Sequence, residues 1–202
     1  MNQRPSVSHI LQLLRVELLA AWRAHRRYVF LSVLLLGGSM PVGAWFWQRR
    51  RGIVDLPFSG LVPNPLAQQF PALSHLGDNT ELFSLLVVGA VSVGVLTAAG
   101  LVVQGIVAGY FLALSVGEYS TGLLFLAVVP HGVLLFFSFV LASAISFRLV
   151  ARTLGRLVGT QPPLDGVEWR RAGLLLVCAW LGLLASALVE AHVTFWLTDL
   201  LL

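Results

Sequence analysis

The chain reads as an all-α, polytopic transmembrane helical bundle, and three observations lead there. It is 57% hydrophobic and only 11% charged, whereas a soluble domain is about 25% charged. Its mean hydropathy is +0.86. Several apolar runs reach or approach the roughly 20 residues that cross a bilayer core, and arginines flank them rather than interrupt them. All thirteen basic residues are arginine, and the formal net charge is +4. Because those arginines border membrane runs, the charge does not point to nucleic acid. The single cysteine, Cys178, lies inside an apolar run, so no intramolecular disulfide is available.

Taken in order, residues 1–27 form a polar, arginine-bearing segment with no small-residue cleavage site after a short apolar run. It is therefore not read as a cleavable signal. Ile10, Leu14, Leu18 and Trp22 fall four apart in an amphipathic helix, with Arg15 and Arg23 off that stripe. Such a helix either lies on the membrane surface or packs on the protein itself.

The first span is YVFLSVLLLGGSMPVGAWFW, residues 28–47, closed by Trp45 and Trp47 in the manner of an aromatic belt. Pro41 is tolerable within it. Residues 52–80 contain four prolines and read as a loop. The run from Leu82 to Val116 carries no charge and is too long for one helix, so a hairpin breaking near Val102–Gln104 is expected. Gly122 to Val150 follows, interrupted by Pro130, His131 and Gly132, and a last span covers Ala172 to about Ala191.

These runs make about five spans, with residues 28–202 as the bundle. The loops at 48–80 and 151–171 lie on opposite sides. Arg4, Arg15, Arg23, Arg26 and Arg27 precede the first span, and Arg148, Arg152, Arg156, Arg170 and Arg171 precede the last. Arg49 to Arg51 are the opposing cluster. The richer segments belong inside, which places the N-terminus in the cytoplasm and the C-terminus outside a bacterial inner membrane.

Polar residues within the apolar runs are the candidates for function. Gly105 and Gly109 in QGIVAG form a small-xxx-small face, as do Ala90 with Gly94 and Gly182 with Ser186. Such faces let helices approach closely, either within the chain or in a homodimer. No strand-to-helix context accompanies these glycines, so a nucleotide loop is not expected.

Glu190 follows nearly a full span, with Ser186 and Thr194 one turn away. It reads either as a hydrogen-bonded anchor between helices or as a proton- or ion-coupling carboxylate. Pro130 lacks an amide hydrogen and Gly132 permits unusual dihedrals. The triplet therefore reads as a turn that starts a helix, re-entrant in one version, with His131 capping or pairing. Glu118, His131, Glu190 and His192 show no metal-ligand spacing, and no cofactor is expected. Ser39 near glycines could recruit His131 as a protease base, but no further donor set or HExxH accompanies it. An enzyme is not expected.

In order and spacing, YVFLSVLLLGGSMPVGAWF, QGIVAGYFLAL, LLFLAVVPHGVLLFFSFVLASAISFRLV and ALVEAHVTFWLT resemble the stage II sporulation protein M family, over about Tyr28 to Thr194. This chain has Gln104 before Gly105 where the family often has asparagine, and Leu135 where it often has glutamate. The resemblance implies a multi-pass membrane anchor, without hydrolase activity of its own, that works with peptidoglycan-degrading envelope partners. A homodimer in contact with membrane lipids is expected. The alternative is a small transporter or lipid- or ion-handling protein that uses Gln104, Glu118, His131 and Glu190.

Overall fold

The computed structural model of the protein describes residues 7–49, 71–118, 129–162 and 164–194. Among these residues every regular element is helical. They are α1 (Val7–Arg49), α2 (Pro71–Val88), a 3₁₀ turn at Gly89–Ser92, α3 (Val95–Glu118), α4 (Val129–Leu157), α5 (Gly166–Leu188) and a π-helical turn at Val189–Thr194. α1, α3, α4 and α5 are long and apolar enough to cross a membrane, while α2 contributes only the shorter apolar stretch Asn79–Ser92.

The amphipathic segment and the first span are one continuous helix of 43 residues, about 65 Å long at 1.5 Å per residue. Nothing between Arg26 and Tyr28 breaks it, since there is no proline, glycine or capping residue there. The packed stripe also differs from Ile10–Leu14–Leu18–Trp22. Ala21 and His25 are buried while Leu14 and Trp22 are exposed. The segment therefore packs on the protein through a narrow face of small and polar residues, while Leu11, Leu13, Leu14 and Leu19 point outward and Leu18 is half-buried. At the far end Trp47 is also buried, meeting Tyr110 edge-to-face at 5.6 Å, whereas Trp45 stays exposed under Arg49. Of these two, only Trp45 is placed as a belt residue would be.

The long apolar block breaks at a different place from the expected one. Val102 to Gln104 are mid-helix in α3, and the chain reverses instead at Gly89–Gly94. Val93 (φ 58°) and Gly94 (φ 81°) are both left-handed there. That conformation suits Gly94 and is unusual for a β-branched residue. Thr97 closes the reversal: its hydroxyl donates to the Leu86 carbonyl at 3.0 Å and lies 2.8 Å from Ser146 Oγ. Both hydroxyls are buried, so the pair satisfies groups that lipid could not. The expected loop is also shorter, because α2 begins at Pro71, where a missing amide hydrogen costs nothing. Likewise α4 continues to Leu157 and α5 starts at Gly166, so the 151–171 loop shrinks to the stretch between them.

Helix directions follow from the contacts. Gly105 faces Leu36 and Ser39, Gly109 faces Met40, and Gly117 faces Trp47, so α3 runs parallel to α1. The intervening α2 must then return the chain from the Arg49 end. α4 runs antiparallel, since Arg148 reaches the Ala24 carbonyl. α5 is parallel to α1, pairing Glu17 with Arg170. The core is aliphatic and aromatic, centred on Leu36, Phe83, Leu86, Leu101, Phe139 and Leu183.

Candidate functional site

Two polar assemblies sit at opposite ends of the bundle. At the Arg49 end, α4 opens at Val129 with Pro130 in its first turn. Here the absent N–H is one that no helical carbonyl would have received. The segment 119–128, and with it the expected re-entrant turn, lies outside the described residues. The main-chain carbonyl of His131 accepts a 2.8 Å hydrogen bond from Ser186 of α5. Two turns further on, Ser138 bonds its own helix at Leu134, and a Cβ on Gly182 would stand 2.6 Å from its hydroxyl. Gly182 and Ser186 therefore form the α5 face that meets α4.

Glu190 is half-buried within the π-helical turn that follows, and His192 is exposed beside it. A π-turn inserts an extra residue per turn and often accompanies functional positions. Neither Glu190 nor His131 lacks an interaction. α2 packs against this turn as well as against α4 and α5. Glu118 closes α3. Gln104 is half-buried in the middle of α3, on the helix that carries the glycines rather than beside His131 or Glu190. The structure thus brings His131 and Ser186 together and leaves Gln104 apart from them. Among the described residues no group of three His, Cys, Asp or Glu side chains could hold a metal ion.

Gly105 and Gly109 have a clear use. A Cβ on Gly105 would overlap the Leu36 carbonyl and the Ser39 hydroxyl, and one on Gly109 would overlap the Met40 carbonyl. From the other side, a Cβ on Gly43 would overlap the Ile106 carbonyl. Two backbones meet here, which is how membrane helices associate without a hydrophobic drive between them. Ser39 donates to Leu35 and Leu36 within its own helix at 2.8 and 2.9 Å, so it too serves this seam.

The other assembly was not anticipated from the sequence. Asp165 caps α5 by accepting the Glu168 amide at 2.8 Å. Glu168, three residues on, stands where a capping-box glutamate would turn back. It reaches instead to α4, pairing with Arg148 at 2.7 Å and Arg152 at 2.8 Å. Arg148 also donates to the Ala24 carbonyl, tying α1 to the same cluster. Arg152 holds Gln161 at 3.0 Å. His25 is buried alongside, its Nδ1 2.8 Å from the Ala21 carbonyl. On the next turns, Glu17 of α1 pairs with Arg170 at 2.6 Å and Arg171 at 3.7 Å. The latter distance is attraction without a hydrogen bond. Two carboxylates thus bind four arginines, and three helices are clamped at one end. The sequence did carry a signal: Glu17 and Glu168 are acidic residues inside arginine-rich segments.

Helical architecture, four membrane-length apolar helices and intrachain glycine packing define an integral, multi-pass membrane protein. The sequence profile of the stage II sporulation protein M family matches residues 32–195, well over half of the chain, and the protein belongs to that family. No curated protein and no solved structure matches it.

Proposed function

We propose that the protein is a non-enzymatic scaffold of the bacterial cytoplasmic membrane that recruits cell-envelope partners, peptidoglycan-remodelling proteins among them. Its N-terminus lies inside and its C-terminus outside. The observation that carries this reading is the clamp of Glu17, Arg148, Arg152, Glu168 and Arg170. It uses charge to hold helices in place, and it presents the short turn between α4 and α5, with exposed Arg156, on a fixed base. A rigid base is what a docking surface needs, because less order has to be imposed when a partner binds. The second proposed docking surface, the 48–80 segment, falls largely outside the described residues. A homodimer belongs to the reading too. The Gly105/Gly109 and Gly182/Ser186 faces are occupied within the chain, so a second copy would meet the bundle elsewhere.

Crosslinking in native membranes, followed by mild-detergent purification and mass spectrometry, tests the proposal. Envelope hydrolases or their regulators should co-purify, and should be lost when residues 158–164 are replaced by a glycine-serine turn of equal length. If the protein comes through alone, and Glu190→Gln abolishes a measured proton or ion flux, the scaffold gives way to a transporter.

A further inference from the structure

The flank of α1 that faces α4, beside the α3 seam, supports an inference independent of the scaffold reading. A furrow of about 410 Å³ runs between α1 and α4, walled by Val29, Val33, Phe136, Phe137 and Val140 and ending at Trp22. The residues that line it are apolar or glycine. Arg26 follows Trp22 by four residues and precedes Val29 by three, so helical spacing puts it on the furrow's face. Arg23 stands one turn from Arg26. Both are exposed, and among the described residues neither pairs with a carboxylate, unlike Arg148, Arg152, Arg170 and Arg171. Two guanidiniums with no carboxylate partner among the described residues therefore stand at the mouth of an apolar slot, where the apolar run beginning at Tyr28 meets the membrane surface.

We propose that this furrow seats one acyl chain of an anionic phospholipid, with its phosphate held between Arg23 and Arg26. Guanidinium binds phosphate oxygens through paired, charge-assisted hydrogen bonds. The Trp22 ring, apolar with one donor, suits the headgroup boundary. From Arg26 to Met40, at the upper end of the furrow, the rise is about 21 Å, within the roughly 30 Å hydrocarbon core. A zwitterionic choline lipid offers the same phosphate but adds a cation beside two arginines, so the charge balance favours a headgroup of net negative charge.

The test uses the full chain in a mild detergent, titrated with phosphatidylglycerol or phosphatidylcholine of identical chains and read by native mass spectrometry. Phosphatidylglycerol should be retained about tenfold or more over phosphatidylcholine. The double variant Arg23→Gln/Arg26→Gln should remove that preference, whereas Arg49→Gln, at the other end of α1, should keep it. Val33→Trp, which fills the slot from an exposed position, should reduce retention of both lipids. Free glycerol phosphate, which has no chain, should not bind. Equal retention of the two lipids, an unchanged preference in the double arginine variant, or binding of glycerol phosphate at the same level would each overturn the proposal. Circular dichroism and monodispersity of each variant confirm that folded protein is being compared.

Discussion

Gly109 rests so closely against the main-chain carbonyl of Met40 that one added methyl group would overlap the oxygen. Gly105 and Gly43 stand in the same relation to Leu36 and Ile106, so the α1–α3 seam is a backbone-to-backbone contact from Leu36 to Gly43. Gly109→Val should therefore cost about 3 kcal/mol, the upper end for overpacking, because a carbonyl cannot rotate away as a side chain can. Gly37, by contrast, has open space around its α-carbon. Gly37→Leu should leave the melting temperature nearly unchanged. Melting curves of the two variants in one detergent check the pair, and equal losses would mean that the seam is looser than described.

The two glutamates of the clamp should differ. Glu168 is only 13% exposed and holds two arginines, so Glu168→Gln leaves two cations without a counter-charge and should cost roughly 3 kcal/mol. Glu17 pairs with the largely exposed Arg170, and Glu17→Gln should cost less than about 1 kcal/mol. Urea or thermal unfolding of both variants measures the difference. A Glu17 effect as large as that of Glu168 would place the weight of the clamp on the wrong pair.

Thr97 and Ser146 should couple. Thr97→Val removes bonds to Ser146 and to the Leu86 carbonyl, at about 1 kcal/mol. Adding Ser146→Ala should cost little more, because its partner is already gone. A double-mutant cycle with no coupling would show that the hydroxyls do not depend on one another.

Ser186 donates to the His131 carbonyl and so fastens the first turn of α4 to α5. Ser186→Ala should cost about 0.6 kcal/mol globally. Its clearer signature is local, with faster hydrogen exchange near the start of α4 and unchanged exchange around Ser146. Uniform acceleration would mean that the bond supports the whole bundle rather than that turn.

The fold class was legible because apolar runs long enough to span a membrane carry their own evidence, and Tyr28–Trp47 and Ala172–Ala191 both lie within helices where expected. The reversal at Gly89–Gly94 was not legible. It contains no proline or charge, and it places Val93 in a conformation that its side chain disfavours. The packing of Thr97 on Ser146 and Leu86 holds it, together with the Ser92 hydroxyl, which donates to the Gly89 carbonyl and accepts the Leu96 amide. Gln104, polar but mid-helix, drew the expected break ten residues too late. For the candidate site, the small-xxx-small glycines revealed close packing, although not which helix they would meet. The clamp unites residues such as Glu17 and Arg170 that are far apart in sequence, and no local pattern encodes that meeting. The stripe of Ala21 and His25 was hidden for a related reason: Ala21 is buried against Ile145, Ala172 and Leu175, residues far along the chain that a local hydrophobic period does not detect.

The unbroken length of α1 has a consequence for how the protein meets bilayers of different thickness. A lone span longer than the hydrocarbon core can relieve the mismatch by tilting. α1 is bound along its middle to α3 by backbone contact and near its start to α4 and α5 by arginine pairs. It cannot lean by itself without breaking one or the other. Any adjustment to a thinner membrane must be made by the whole bundle turning together, or by the lipids deforming around it.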